Sequence, residues 1–390
     1  MGYTNTTPQF GLPQYAPADM PQREDFNKAF KTISENMGKG GNDNLLDNWY
    51  FADPIDQRGG YVVPPGTAYA EPNGSTIGTL TQYLPVTYIS SSGYPHFIMD
   101  GTEYVGTVGS AVRGYVGNGY TIDRWKKDTL GTIIVLDDCI EHHGTSHGFY
   151  EVLEPDVLKA ISGKVCTMSA LVRSPNGSKV QLGVGSGDGY VAFTLSEEWT
   201  VITRQFVYDY ENYPNRSSFV LRAGINDGNE HVVQYKAAKL ELGDKQTLAH
   251  QDENGNWVLN DPPPNKALEL AKCQRYFKRI KPSSRPNANI ALGYAYATSA
   301  TTAWLTIPVA DLRIAPAIKV SDITKIGLTK SSIGNIVSYA GSVVSGYMNY
   351  NGETLQFLLG GLSGLTTGDV YLAWLVESSK LSYIDLDANL

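Results

Sequence analysis

The stretch Ser217-Ser218-Phe219-Val220-Leu221-Arg222-Ala223-Gly224-Ile225 decides the fold class. Its apolar residues at 219, 221, 223 and 225 recur every second position, which puts them on one face of a strand, with the other face left to solvent. Outward from it the same texture continues. Ile133–Leu136, Val165–Val172, Val180–Val184, Val191–Leu195, Thr200–Tyr208 and Val232–Leu240 all read as short strands between turn signals. Seven such runs predict a β-sandwich. Upstream, residues 60–119 lack helical periodicity and are broken by Gly59-Gly60, Pro64-Pro65, Asn73-Gly74, Gly93 and Gly117. They are expected to be small β-hairpins inserted into the larger sheet domain.

The flanks of this body read differently. Residues 1–18 form a Thr-, Pro- and Gln-rich arm. Asp19-Met20-Pro21 then opens a predicted helix, and Phe26, Phe30, Ile33 and Met37 give it one narrow apolar seam before Gly38. A helix this short needs a partner, either sister copies, an adjacent body or its own domain. On the C-terminal side, Asp261-Pro262-Pro263-Pro264 is a stiff spacer. Asn265 caps a helix predicted from Lys266 to Ile280, basic at its end through Arg275, Lys278 and Arg279. Strands resume at Asn289–Ala297, Ala303–Pro308, Ala317–Val320, Ile336–Tyr339, Ser345–Tyr350, Thr354–Leu359 and Val370–Val376, enough for a second sandwich. The expected fold is mainly β, two jelly-roll-like β-sandwich domains with a short N-terminal helix and a linker helix. The segments are 1–43, 44–249 with the insertion at about 60–119, 250–281, and 282–390.

Composition excludes several function classes. The 390 residues carry a net charge of −8, which disfavours nucleic acid as a partner. No stretch is apolar and long enough to predict a membrane span. Met1–Phe10 has no basic-plus-apolar leader, so synthesis in the host cytoplasm is expected. Cys139, Cys166 and Cys273 are too few and too widely spaced for a disulfide framework. Glu141-His142-His143-Gly144-Thr145-Ser146-His147 is read as a solvated loop, since its glycines oppose a metal-binding helix. Gly183–Gly189 lacks a following helix and is read as a turn, not a phosphate loop. Glu197-Glu198 and Asp137-Asp138 are sequence neighbours, which adjacency alone does not aim at one substrate. No catalytic residue and no cofactor is assigned, and no enzyme activity is expected. A structural calcium or other metal ion is left open.

Aromatic residues are the remaining signal, with Tyr 25 against Phe 11 and Trp 6. Most tryptophans are expected in the core. The surface candidates for ligand binding are Tyr294, Tyr296, Trp304, Tyr347, Asn349 and Tyr350, where rings can stack on sugars and amides can read hydroxyls.

Four strings occur in order: NLLDNWYFADPIDQRG (44–59), YTIDRW (120–125), KLELGDKQT (239–247) and CQRYF (273–277). With GLPQYAPADMPQREDFNKAFKTI (11–33), they resemble tail-fibre or receptor-binding proteins of phages and prophages of Gram-positive gut bacteria. The resemblance implies a homotrimer held through the seam. It implies attachment to a tail baseplate or fibre-attachment protein by residues 1–43. It further implies a carbohydrate-binding-module-like jelly roll that ends at Lys239–Gly243, and a distal tip at 282–390 that meets bacterial surface polysaccharide. The location implied is a virion tail or phage-tail-like particle. The competing expectations are a baseplate or fibre-joining protein without host contact, and a carbohydrate-active enzyme.

Overall fold

The computed structural model describes residues 43–390 apart from 73, 75, 91, 129–130, 185–188, 215–216, 283–288, 310–311, 332, 377–381 and 390. It also describes the short pair Asn5–Thr6 with Pro13–Gln14; of 334 and 345–347 only the backbone is described. The seam residues Phe26, Phe30, Ile33 and Met37 lie outside the described residues.

The fold is mainly β and built as two sandwiches. In the first, a six-stranded sheet runs in the order Gly119–Tyr120, Trp125–Lys127, His147–Val152, Ser218–Ala223, Lys179–Val184, Tyr190–Thr194. The facing sheet begins Thr200–Val207, Val165–Arg173, His231–Leu242, Ile140–Gly144, Thr132–Val135, Val112–Val116. His231–Leu242, which carries most of the Lys239–Gly243 stretch and is the last strand of this sandwich in chain order, lies between Val165–Arg173 and Ile140–Gly144. Alternation explains the packing. Phe149, Leu221 and Leu182 lie side by side across three strands and point inward. Phe219, Leu221 and Ala223 are buried, as the alternation requires, while Arg222 faces out. Val220, on the outer face, is buried too, so that face is not uniformly wet.

The insertion extends the second sheet. Tyr61–Val63 pairs with Val112–Val116, and Leu84–Ile89, Pro95–Met99, Thr102–Gly106, Ala68–Ala70 and Thr76–Thr79 follow in that spatial order. It has its own small core of Val63, Leu80, Leu84 and Phe97.

Two local readings are corrected. The histidine segment is not a loop: Ile140–Gly144 and His147–Val152 are strands of opposite sheets, joined through Thr145-Ser146. His142 is fully buried between Phe149 and Tyr235, and burial pushes its pKa down to about 3, so it is neutral. The linker helix spans only Lys266–Gln274, with Asn265 capping it as expected. Phe277–Ile280 is a strand, because it pairs with Ile384–Asp387 of the second sandwich. Arg279 consequently meets Asp385 through two nitrogens, at 2.6 and 2.7 Å, rather than a helix end. Ala317–Val320 completes that three-stranded sheet, and a seven-stranded sheet closes over it.

The two sandwiches and the helix meet at a buried polar junction. Asn48 accepts from Ile55 N at 2.7 Å and donates to Ile55 O and Asp123 O; its own N–H is taken by Glu269 of the helix. Arg124 donates to Asp47 and Glu151, each at 3.1 Å, and lies 3.6 Å over the Tyr276 ring. Arg58 pairs with Asp123 at 3.1 Å and lies 3.6 Å over the Phe277 ring. Gln57 donates to Phe277 O at 2.7 Å. Arg124 and Glu151 are almost wholly out of solvent, which makes the cost of losing one partner large.

Arg124→Ala is expected to destabilise the protein by about 3–5 kcal/mol in denaturant unfolding, because it strands the Glu151 carboxyl. Burial raises the Asp123 carboxyl from 3.8 to about 7, even beside Arg58 and Gln57. The folded state therefore keeps a proton that the unfolded chain has lost, and this contribution to stability falls as pH rises from about 4 to 7. Asp123→Asn is expected to flatten that decline in an unfolding series across the same range.

Candidate functional site

The seven-stranded sheet runs Ser338–Tyr339, Ile326–Thr329, Val370–Leu375, Ile290–Ala297, Ala303–Pro308, Thr354–Gly360, Ser342–Tyr350. Its inner face is apolar, with Ala295, Leu305, Phe357 and Tyr371 in the core. Period-two alternation sends the intervening side chains outward. Two rows result. Leu372, Tyr294, Thr306, Gln356 and Asn349 lie opposite one another across five strands. Val370, Tyr296, Trp304 and Leu358 form the next row. At the usual strand spacing the first row spans about 19 Å. Gln356 Nε2 donates to Thr306 Oγ1 at 3.1 Å, which fixes the amide within its row. Neither row contains a charged side chain.

Tyr294 and Tyr296 are 62% and 50% exposed, more than any other tyrosine among the described residues. A bulge sets their direction. The register against Val370–Leu375 slips between Ala291 and Gly293. Gly293 adopts φ +150°, and a Cβ there would lie 2.0 Å from Thr306 O. Only glycine lets the two strands approach so closely.

The structure thus brings together Tyr294, Tyr296, Trp304 and Asn349. It does not add Tyr350, which stands opposite the core residue Leu355, packs inward and donates its hydroxyl to Leu312 O at 2.8 Å. Strand parity explains this: Asn349 and Tyr350 are adjacent, so they face opposite sides. The side chain of Tyr347 lies outside those described. Of the tryptophans only Trp49 and Trp125 are buried, so fewer are core than composition suggested.

A second aromatic row escaped sequence reading. Tyr120, Lys126, Tyr150, Val220, Gly183 and Tyr190 lie in line across the outer face of the six-stranded sheet. The Tyr190 ring packs on Gly183, where a Cβ would come within 2.4 Å of its carbons. Its tyrosines already carry cations: Lys126 lies 4.5 Å over Tyr120 and Arg222 lies 3.9 Å over Tyr190. Three distant segments supply these rings, so no local pattern announces them.

The other candidates resolve chemically. His143 is held by Glu141 at 2.7 Å and sits under Tyr83 of the insertion. Among the described residues, no group of three His, Cys, Asp or Glu side chains is placed to hold a metal ion. The three cysteines are free and buried, and burial pushes their thiols up, that of Cys139 to about 12. They are therefore poor nucleophiles. Glu197, Glu198, Asp137 and Asp138 are exposed. No described helix is long and apolar enough to cross a membrane.

No protein-family model and no curated protein matches the chain. Among solved structures, the apo CBM1 of BiXyn10A is 21% identical, with 28% of this chain and 79% of that one covered and a TM-score of 0.22. The N-terminal CBM22-1–CBM22-2 tandem domain of Paenibacillus barcinonensis Xyn10C is 11% identical, covering 68% and 93%, with a TM-score of 0.22. The binding domain of botulinum neurotoxin DC in complex with SialylT is 9% identical, covering 77% and 99%, again with a TM-score of 0.22. Likeness this low carries no argument about the chain.

Proposed function

We propose that this chain is a glycan-binding attachment protein, with the exposed face of the seven-stranded sheet as its binding surface. The observation that carries this is the juxtaposition of Tyr294, Tyr296 and Trp304 with Thr306, Gln356 and Asn349 on one uncharged, solvent-facing sheet. Ring faces supply apolar contact to sugar C–H surfaces, and neighbouring amides and hydroxyls exchange hydrogen bonds with sugar hydroxyls. The role needs no catalytic group.

The finer reading rests on the four ordered strings and the 11–33 segment. It is a tail-fibre or receptor-binding protein of a phage or phage-tail-like particle, working as a homotrimer that presents residues 282–390 to a bacterial surface polysaccharide. Three copies raise weak single contacts to useful avidity.

Bacterial surface polysaccharide is expected to retain the full chain, and Tyr296→Ala and Trp304→Ala are each expected to weaken binding about tenfold with unchanged thermal unfolding. Retention that both variants leave intact would remove this face from the function. Light scattering is expected to give a trimer for the full chain and smaller species for Phe30→Asp; a monomeric parent would sink the trimer.

A further inference from the structure

The inserted hairpins hold an open groove of about 410 Å³ that lies apart from the tip face and belongs to a different sheet. Its floor is low because Ala68 and Ala70 lie there, on neighbouring outward positions of one strand. Tyr69, between them, turns its ring to the opposite face, against Phe97 and Tyr104. One wall is aromatic. It is made by Tyr94, 43% exposed, and by His96, whose ring is backed by Tyr88 with centroids 4.1 Å apart and planes 14° from parallel. Glu71, Pro72 and Thr76 line the groove as well, with Thr107. His96 Nδ1 is held by Glu103 at 3.1 Å, which fixes the imidazole and leaves Nε2 as the polar atom the ring can offer.

We propose that this groove is a second saccharide site, selective for neutral, hydroxyl-rich sugars. Size and lining fit a small ligand: a few convergent polar groups over a surface of small and aromatic side chains. Charge decides the class. Between residues 60 and 119 there is no lysine and a single arginine, Arg113, which pairs with Asp56 at 2.9 Å. Glu71, Asp100 and Glu103 supply the other charges. A phosphorylated or carboxylated sugar would meet carboxylates with no cation to answer it. A neutral sugar meets an open tyrosine ring and oxygen acceptors for its hydroxyls. The site does not rest on the tip reading and is tested on separate residues.

The experiment is a glycan array of neutral and anionic oligosaccharides on the full chain, followed by calorimetry of the neutral binders with three variants. Tyr94→Ala removes the ring, Ala70→Leu fills the floor, and Tyr296→Ala reports the tip. At least one neutral oligosaccharide is expected to lose about tenfold in affinity with Tyr94→Ala, to lose binding with Ala70→Leu, and to be unchanged by Tyr296→Ala. Thermal unfolding checks each variant, and if Ala70→Leu fails to fold, Tyr94→Ala decides alone. Binding confined to anionic oligosaccharides, no neutral binder at all, or neutral binding indifferent to the groove variants would each overturn the site. Neutral binding lost only with Tyr296→Ala would refute the groove and leave the tip reading standing. The converse, binding lost only with the groove variants, would refute the tip reading alone.

Discussion

Arg124 has to be neutralised where water does not reach, and the junction is built around that need. A guanidinium 2% exposed is tolerable only with its counter-charges fixed in place, and here Asp47 and Glu151 supply them while Tyr276 covers the plane. Each partner comes from a different part of the chain. Asp47 precedes the first sandwich, Glu151 is on its six-stranded sheet, and Tyr276 follows the linker helix. Satisfying one arginine therefore ties the first sandwich to the segment that enters the second. Arg58, Asp123 and Phe277 repeat the arrangement beside it. Arg313 and Glu154, 2.9 Å apart, add a further link between the bodies.

This convergence gives the four ordered strings a physical meaning. Residues 44–59, 120–125 and 273–277 are scattered in sequence and meet at the junction; the Lys239–Thr247 string anchors the same region from the sheet. Leu240 N donates to Asn44 Oδ1 at 3.1 Å, and Lys239 reaches Asp261 at 2.6 Å. What these strings encode is the way the bodies are joined. The surfaces proposed to bind lie outside all four: one on the seven-stranded sheet, the other on the hairpins of residues 60–119. The resemblance and the binding chemistry thus come from different residues, and either can change without the other.

Alternation was readable wherever a strand had one buried face. Phe219, Leu221 and Ala223 point inward as their spacing requires, and Ala303–Pro308 and Ala317–Val320 have the predicted bounds. Short segments were misread when a distant partner decided them. Lys266–Ile280 continues a helical pattern locally, but Phe277–Ile280 gains main-chain pairing with Ile384–Asp387, over a hundred residues away. The histidine run has loop-like composition, yet it forms two strands because each has a neighbour to pair with, Val116's strand partner Thr132–Val135 on one side and Ser218–Ala223 on the other. In the seven-stranded sheet, Tyr294 and Tyr296 share a face because they are two apart, whereas Tyr350 turns into the core.

The sequence by itself determined the mainly-β class, its sandwich architecture, and the pair of tyrosines that had to share a face. Each follows from local spacing, since the side-chain period of a strand is two whatever it pairs with. Only the tertiary structure decided that an arginine junction joins the sandwiches, that Trp304, Thr306, Gln356 and Asn349 line up beside Tyr294 and Tyr296, and that two alanines leave a groove in the insertion. These depend on register and on pairings between remote segments, and a one-residue slip would send every side chain in a row to the opposite face.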